Sequence, residues 1–219
     1  MLCCTCVALR FFPQQNFVGW DGQADCTVAA QTKALWGGNV NTPFVNGATS
    51  GLSMSNPGLA ASAEHNGTLT VAALAPVTTG KAAAAAAAAV TCGVIAGEAD
   101  EVSLWQTFVS GGEKPVSTAT PTAPSAAGTS YCGGVVQSVI VPARGGTASV
   151  TFVLAWHFPN RARETSVGKT WDKRLPAVLG NKYSTWWADA NAVASYAQVK
   201  FNFRFLCKFY MTFFSTVGS

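Results

Sequence analysis

Apolar and polar positions alternate along 147–156. Ala148, Val150, Phe152, Leu154 and Trp156 share one face, and Thr147, Ser149, Thr151, Val153 and Ala155 share the other. Successive strand side chains point to opposite sides, so the run predicts a strand with one heavily apolar face. Phe152, Leu154 and Trp156 are assigned to a core, and Pro159 stops the strand. With the upstream run VVQSVIV across PARGG, the pattern predicts an antiparallel hairpin. The stretch GTLTVAALA, 67–75, sets β-branched and apolar residues side by side, as a strand buried on both faces does.

Two stretches carry helical spacing. LWQTFVSGGEKP, 104–115, predicts one or two turns docking Leu104, Trp105 and Phe108 before a Gly-Gly stop. In NKYSTWWADANAVASYAQVK, Tyr183, Trp187, Ala190, Ala194 and Ala197 recur at threes and fours. That predicts a helix over about 182–199, capped by Ser184 or Asn181, with Trp186 and Trp187 anchoring its first turn. The Gly- and Asn-rich 14–51 reads as loops between short strands, and 116–130 as an exposed loop. Eight alanines at 82–89 read as part of a low-complexity insertion at 79–90. The expected fold is mostly β: a partial antiparallel β-sandwich over 14–180, followed by the helix. Residues 1–13 and 200–219 stay unassigned, and the aromatic FNFRFLCKFYMTFF reads as foreign to the fold.

Composition narrows the class without naming a chemistry. Charged residues are 11% of 219, against about a quarter in typical domains, and Gly plus Pro contribute 21 and 10, which favours short strands and turns. The net charge of +4 is scattered, so no basic stripe suggests nucleic acid. Seven cysteines, at 3, 4, 6, 26, 92, 132 and 207, lack zinc spacing. The opening MLCCTCVALRFF is a weak signal peptide, and without an export signal the expected location is cytoplasmic, with membrane association left open.

A catalytic set is not visible. The histidines are His65, in a turn, and His157, at a strand end. The carboxylates Asp21, Asp25, Glu64, Glu98, Asp100, Glu101, Glu113, Glu164, Asp172 and Asp189 sit in contexts that give no reason for a raised pKa, and Asp100 and Glu101 are a pair only along the chain. Phosphate-binding loops are missing too: GGNVN and ARGGT match neither nucleotide fingerprint. No catalytic residue, metal ligand or cofactor is assigned.

VTFVLAWHFPNR followed by GNKYSTWWADANAVASYA resembles the end of the N-terminal domain of glycoside hydrolase family 116, the non-lysosomal glucosylceramidases or bile-acid β-glucosidases. QQNFVGWDG, GGNVN, GTLTVAALA and LWQTFVSGG occur upstream in the expected order, so the resemblance covers about 14–199. It implies a β-sandwich ahead of a helical toroid that hydrolyses β-glucosides such as glucosylceramide with retention. The catalytic glutamate and aspartate belong to that toroid, so neither is carried onto this chain. The chain is then expected to be truncated before its intramolecular catalytic domain, with some early strands missing. His157, Asn160, Arg161 and Trp186 become candidate domain-interface residues that shape the turn toward that domain. Two other readings compete. One is a stand-alone carbohydrate-binding sandwich that uses tryptophans among Trp20, Trp36, Trp105, Trp186 and Trp187 as platforms, although their apolar neighbours favour core packing. The other is a gene fragment without an autonomous role.

Overall fold

The computed structural model describes residues 6–19, 37–74, 91–141, 150–162 and 178–202. Strands β1 (Cys6–Gln15), β7 (Cys132–Val141), β5 (Thr91–Glu98) and β6 (Lys114–Pro115) form one sheet in that order. A second sheet orders β2 (Val40–Asn46), β3 (Thr49–Ser55), β4 (Thr68–Leu74) and β8 (Thr151–His157). The strand pairings in both are antiparallel. β9 (Asn160–Ala162) and β10 (Val178–Gly180) pair separately.

The two sheets pack face to face. Leu52 and Met54 of β3, Leu69, Val71 and Ala73 of β4, and Phe152 of β8 meet Val94 of β5 and Val135 of β7. The expected β-sandwich is therefore present. As its uninterrupted apolar run predicted, β4 is buried on both faces, because Ala72 and Leu74 join Val153 and Ala155 of β8 on the outer side. Helix α2 (Ala190–Asn202) covers that side with Ala190, Ala194 and Ala197. Small residues at fours and threes let the helix lie close to the strands. Polar pins fix its position: the Ala190 N–H donates to Thr68 Oγ1 (2.8 Å), Thr70 Oγ1 donates to Asn191 Oδ1 (2.7 Å), and Asn46 Nδ2 donates to Ser195 Oγ (3.0 Å).

Helix α1 (Glu101–Val109) covers the outer face of the other sheet. Leu104 is buried against Ile95, Cys132 and Val136, and the Phe108 ring stacks on Phe11 with centroids 4.5 Å apart. Trp105 departs from the expected docking and is 57% exposed. One helix on each outer face makes four layers.

Several local expectations change. The β7 and β8 runs are not a hairpin: β7 pairs with β1 and β5, and β8 pairs with β4. Strands buried on both faces carry no mark of their partner, so adjacency in sequence suggested a pairing that the sandwich replaces with a crossing between sheets. Trp156 shares the parity of Phe152 and Leu154 yet is 42% exposed. Alternation fixes a face, not how far along the strand that face is covered.

The helix over 182–199 divides into a 3₁₀ turn, Lys182–Thr185, and α2 itself. Asp189 starts α2, its Oδ1 accepting from the Ala192 N–H at 2.8 Å, which is an N-cap geometry. Neither proposed cap serves. The Asn181 side chain makes no cap bond to the 3₁₀ turn, and Ser184 Oγ donates backwards to the Asn181 carbonyl. Trp186 and Trp187 lie in the connection. VNGATSG is a true hairpin joining β2 and β3, with Gly47 at φ 59° opening its two-residue loop. β1 begins at Cys6, inside the segment left unassigned. The alanine run, Trp20, Trp36 and the tail from 203 onward lie outside the described residues.

One end of the sandwich is closed by buried amides. Asn16 Nδ2 donates to Asn41 Oδ1 (2.9 Å), Asn39 Nδ2 donates to Asn16 Oδ1 (3.1 Å) and to the Val18 carbonyl (2.7 Å), and Asn41 Nδ2 donates to the Ala96 carbonyl (2.7 Å). The 116–130 loop is drawn in by the same residues: Ser125 Oγ accepts from the Asn39 N–H, and Thr122 Oγ1 accepts from the Asn41 N–H, both at 3.0 Å.

At Ala194, fully buried between α2 and the sheet, a larger side chain has to displace its neighbours. Ala194→Leu lowers stability by about 1–3 kcal/mol through overpacking, read as a lower urea midpoint. Val199→Ala, on the exposed side, stays within about 0.5 kcal/mol.

Candidate functional site

The turn after β8 is built by polar side chains that bond to backbone. Asn160 Nδ2 donates to the carbonyls of Ala61 (2.7 Å) and Ala63 (2.8 Å), tying the 56–67 loop to the start of β9. Asn181 Nδ2 donates to the Phe158 carbonyl (2.7 Å), and the Asn181 N–H donates to the Pro159 carbonyl (2.7 Å). The Tyr183 hydroxyl donates to the Phe158 carbonyl and accepts from the Phe158 N–H. Phe158 and Phe17 stack at 6.5 Å. A Cβ on Gly67 would sit 2.5 Å from both the His157 carbonyl and the Phe158 ring, so only glycine lets the 56–67 loop close onto this turn.

The four candidate interface residues occupy different layers of this edge. His157 is buried, with the Tyr183 ring edge-on at 5.4 Å. Asn160 braces the loop, and Arg161 lies in β9 opposite Leu179. Trp186 is 56% exposed, against the core packing its neighbours suggested. It opens an aromatic series: Trp186 is perpendicular to Trp187 at 5.6 Å, Trp187 meets Tyr196 at 5.4 Å, and Lys200 Nζ lies 5.5 Å from the centre of the Tyr196 ring.

Beyond Phe17, a cleft of about 470 Å³ opens between β1 and α1. Its walls are Phe11, Pro13, Phe17 and Leu104, with Cys132 among the lining groups. Gln14, Gln15 and Glu101 supply polar groups, and Trp105 stands beside them.

Compared with protein-family models, the chain matches the one described as beta-glucosidase 2, glycosyl-hydrolase family 116 N-term, over residues 7–202. The chain belongs to this family. No curated protein matches it.

In this family 116 N-terminal domain, the described carboxylates show structural roles at several positions. Asp100 caps α1, its Oδ1 accepting from the Ser103 N–H at 2.7 Å, and that bond holds its carboxyl below the ordinary value. Asp189 caps α2, and Glu98 accepts from Thr107 Oγ1 at 2.9 Å. Among the described residues, no three His, Cys, Asp or Glu side chains gather as a metal site requires. No helix there is long and apolar enough to cross a membrane.

Asn160 was singled out in the sequence, whereas the buried amides of Asn16, Asn39 and Asn41 were not, because Asn in Gly-rich stretches reads as turn chemistry. Asn181 and Tyr183 were visible only as helix positions. Gln15 belongs to the QQNFVGWDG stretch but Glu101 to no motif, and the packing of α1 beside β1 brings both to one cleft.

Asn160→Ala removes both loop bonds. It lowers stability by about 1–3 kcal/mol, and hydrogen exchange mass spectrometry shows faster exchange confined first to 56–67. Burial pushes the Cys92 thiol up from 9.0 to about 11. Burial, and then the negative charges of Glu101 and Asp100, do the same for Cys132. A raised folded pKa keeps these thiols neutral, so their contribution to stability is complete below pH 9 and is lost as pH rises through about 11. At about pH 8, iodoacetamide therefore labels both cysteines far more slowly in the native chain than in urea, as read by site-resolved mass spectrometry.

Proposed function

We propose that the chain is the non-catalytic N-terminal sandwich of a family 116 retaining β-glucosidase, acting by packing against a helical catalytic domain and holding it in place. The match over residues 7–202 to an N-terminal family description carries this reading. In it, the nucleophile and the acid/base belong to the helical domain, and no carboxylate of this chain is catalytic. The substrates of the assembled enzyme are β-glucosides, glucosylceramide among them, met in the cytoplasm or at its membranes.

The docking edge is the turn after β8 together with the start of α2. Asn160 and buried His157 set the turn from within, Arg161 extends it along β9, and exposed Trp186 supplies the anchor. Large aromatics at the centre of an interface typically dominate its binding energy. The aromatic series Trp186, Trp187 and Tyr196 supports this choice, since exposed rings gain most from being covered.

The purified chain alone is expected to give no turnover of an aryl β-glucoside, and to bind a separately produced family 116 helical domain. Trp186→Ala weakens that binding about tenfold or more, measured by calorimetry, with thermal unfolding of the free chain unchanged. Turnover by the chain alone that is lost on changing one of its own carboxylates overturns the reading.

A further inference from the structure

The cleft beside α1 adjoins the docking edge through Phe17, which lines it and stacks on Phe158, but Trp105, Glu101 and Gln15 belong to the cleft alone. At about 470 Å³ it falls within the roughly 300–1,000 Å³ of small-molecule sites. We propose that it is a non-catalytic sugar site that takes a β-linked glucose unit, with Trp105 as the platform and Gln15 and Glu101 as partners for the hydroxyl groups. The choice of ligand class rests on the family reading; the site itself rests on geometry.

Trp105 is a large ring left in solvent by a helix that had an apolar face available to bury it. Phe108 meets it at 5.4 Å and 47°, which steadies the indole without covering it. A pyranose offers an apolar C–H face to such a ring and hydroxyl groups at its edge, matching the mixed character of the cleft. Glu101 supplies carboxylate acceptors, and the Gln15 amide both donates and accepts. Among the described residues neither side chain is engaged in a hydrogen bond. Gln14 is already turned toward its neighbour, its Nε2 donating to the Gln15 carbonyl at 3.0 Å.

The same groups argue against other ligands. No lining side chain is cationic, and Glu101 would repel a phosphate or sulfate. One carboxylate does not make a metal site, and a wholly apolar ligand would strip water from Glu101 and Gln15 without replacing their bonds. A neutral polyhydroxylated molecule suits the polar groups of Gln15 and Glu101 and the face of Trp105 together.

The test is a titration of the purified chain with cellobiose, and with maltose as the α-linked control, followed by calorimetry and saturation-transfer NMR. Cellobiose is expected to bind saturably in the millimolar range, with maltose at least tenfold weaker. Trp105→Ala reduces cellobiose affinity at least tenfold. Glu101→Gln, which keeps the packing, reduces it about three- to tenfold, and Trp186→Ala leaves it unchanged. Absence of saturation by about 50 mM cellobiose, equal binding of maltose, or affinity that survives both cleft substitutions overturns the proposal. Binding to the helical domain, measured on the same preparation, separates the two readings. Lost sugar binding with intact docking removes only the cleft site, and lost docking with intact sugar binding removes only the domain role.

Discussion

A strand with apolar side chains on both faces has only one stable position, between two other layers, and β4 is such a strand. Leu69, Val71 and Ala73 require the opposite sheet, while Ala72 and Leu74 require a helix. Much of the rest follows from that double demand. The facing sheet brings Val94 and Val135 to the first side, and α2 brings Ala190, Ala194 and Ala197, with Val193 beside them, to the second. Burial at about 25 cal/mol per Å² of apolar surface rewards both contacts. Specificity comes from the polar pins: Thr68, Thr70 and Asn46 meet α2 at defined positions, which sets the rotation of the helix and so which side Tyr196 and Val199 turn to solvent.

That arrangement separates the two outer surfaces. α2 packs on one sheet and α1 on the other, yet the end of the sandwich joins them: Phe17, which lines the cleft beside α1, stacks on Phe158 in the turn after β8. The two helices cover their sheets differently: α1 buries Leu104 and stacks Phe108 on Phe11, whereas α2 meets its sheet chiefly through alanines.

The core was legible because it rests on composition at short range. GTLTVAALA announced a strand with two apolar faces, and β8 announced its parity. The partner of β7 was not legible, because Val135 and Val136 are buried on opposite faces and no residue there encodes which sheet the next strand joins. The start of α2 was misplaced since Asn181 and Ser184 have the right chemistry for a cap but are committed elsewhere, Asn181 to the Phe158 carbonyl and Ser184 to the Asn181 carbonyl. Asp189, the true cap, sat inside the expected helix. The order of motifs carried the family, whereas the cleft depends on side chains nearly ninety residues apart and had no local signature.

The buried amides at the end of the sandwich bear on how the chain reaches this state. Asn16, Asn39 and Asn41 join β1, β2 and the 116–130 loop across separations of 23 to 86 residues. None of these bonds can form until distant segments already lie side by side, and each loop closed adds to the entropy that must first be overcome. A polar knot of this kind cannot nucleate the fold. It acts as a latch that closes after the sheets have met, rewarding only the correct meeting of all three segments and leaving a mispaired sandwich with its amides unsatisfied.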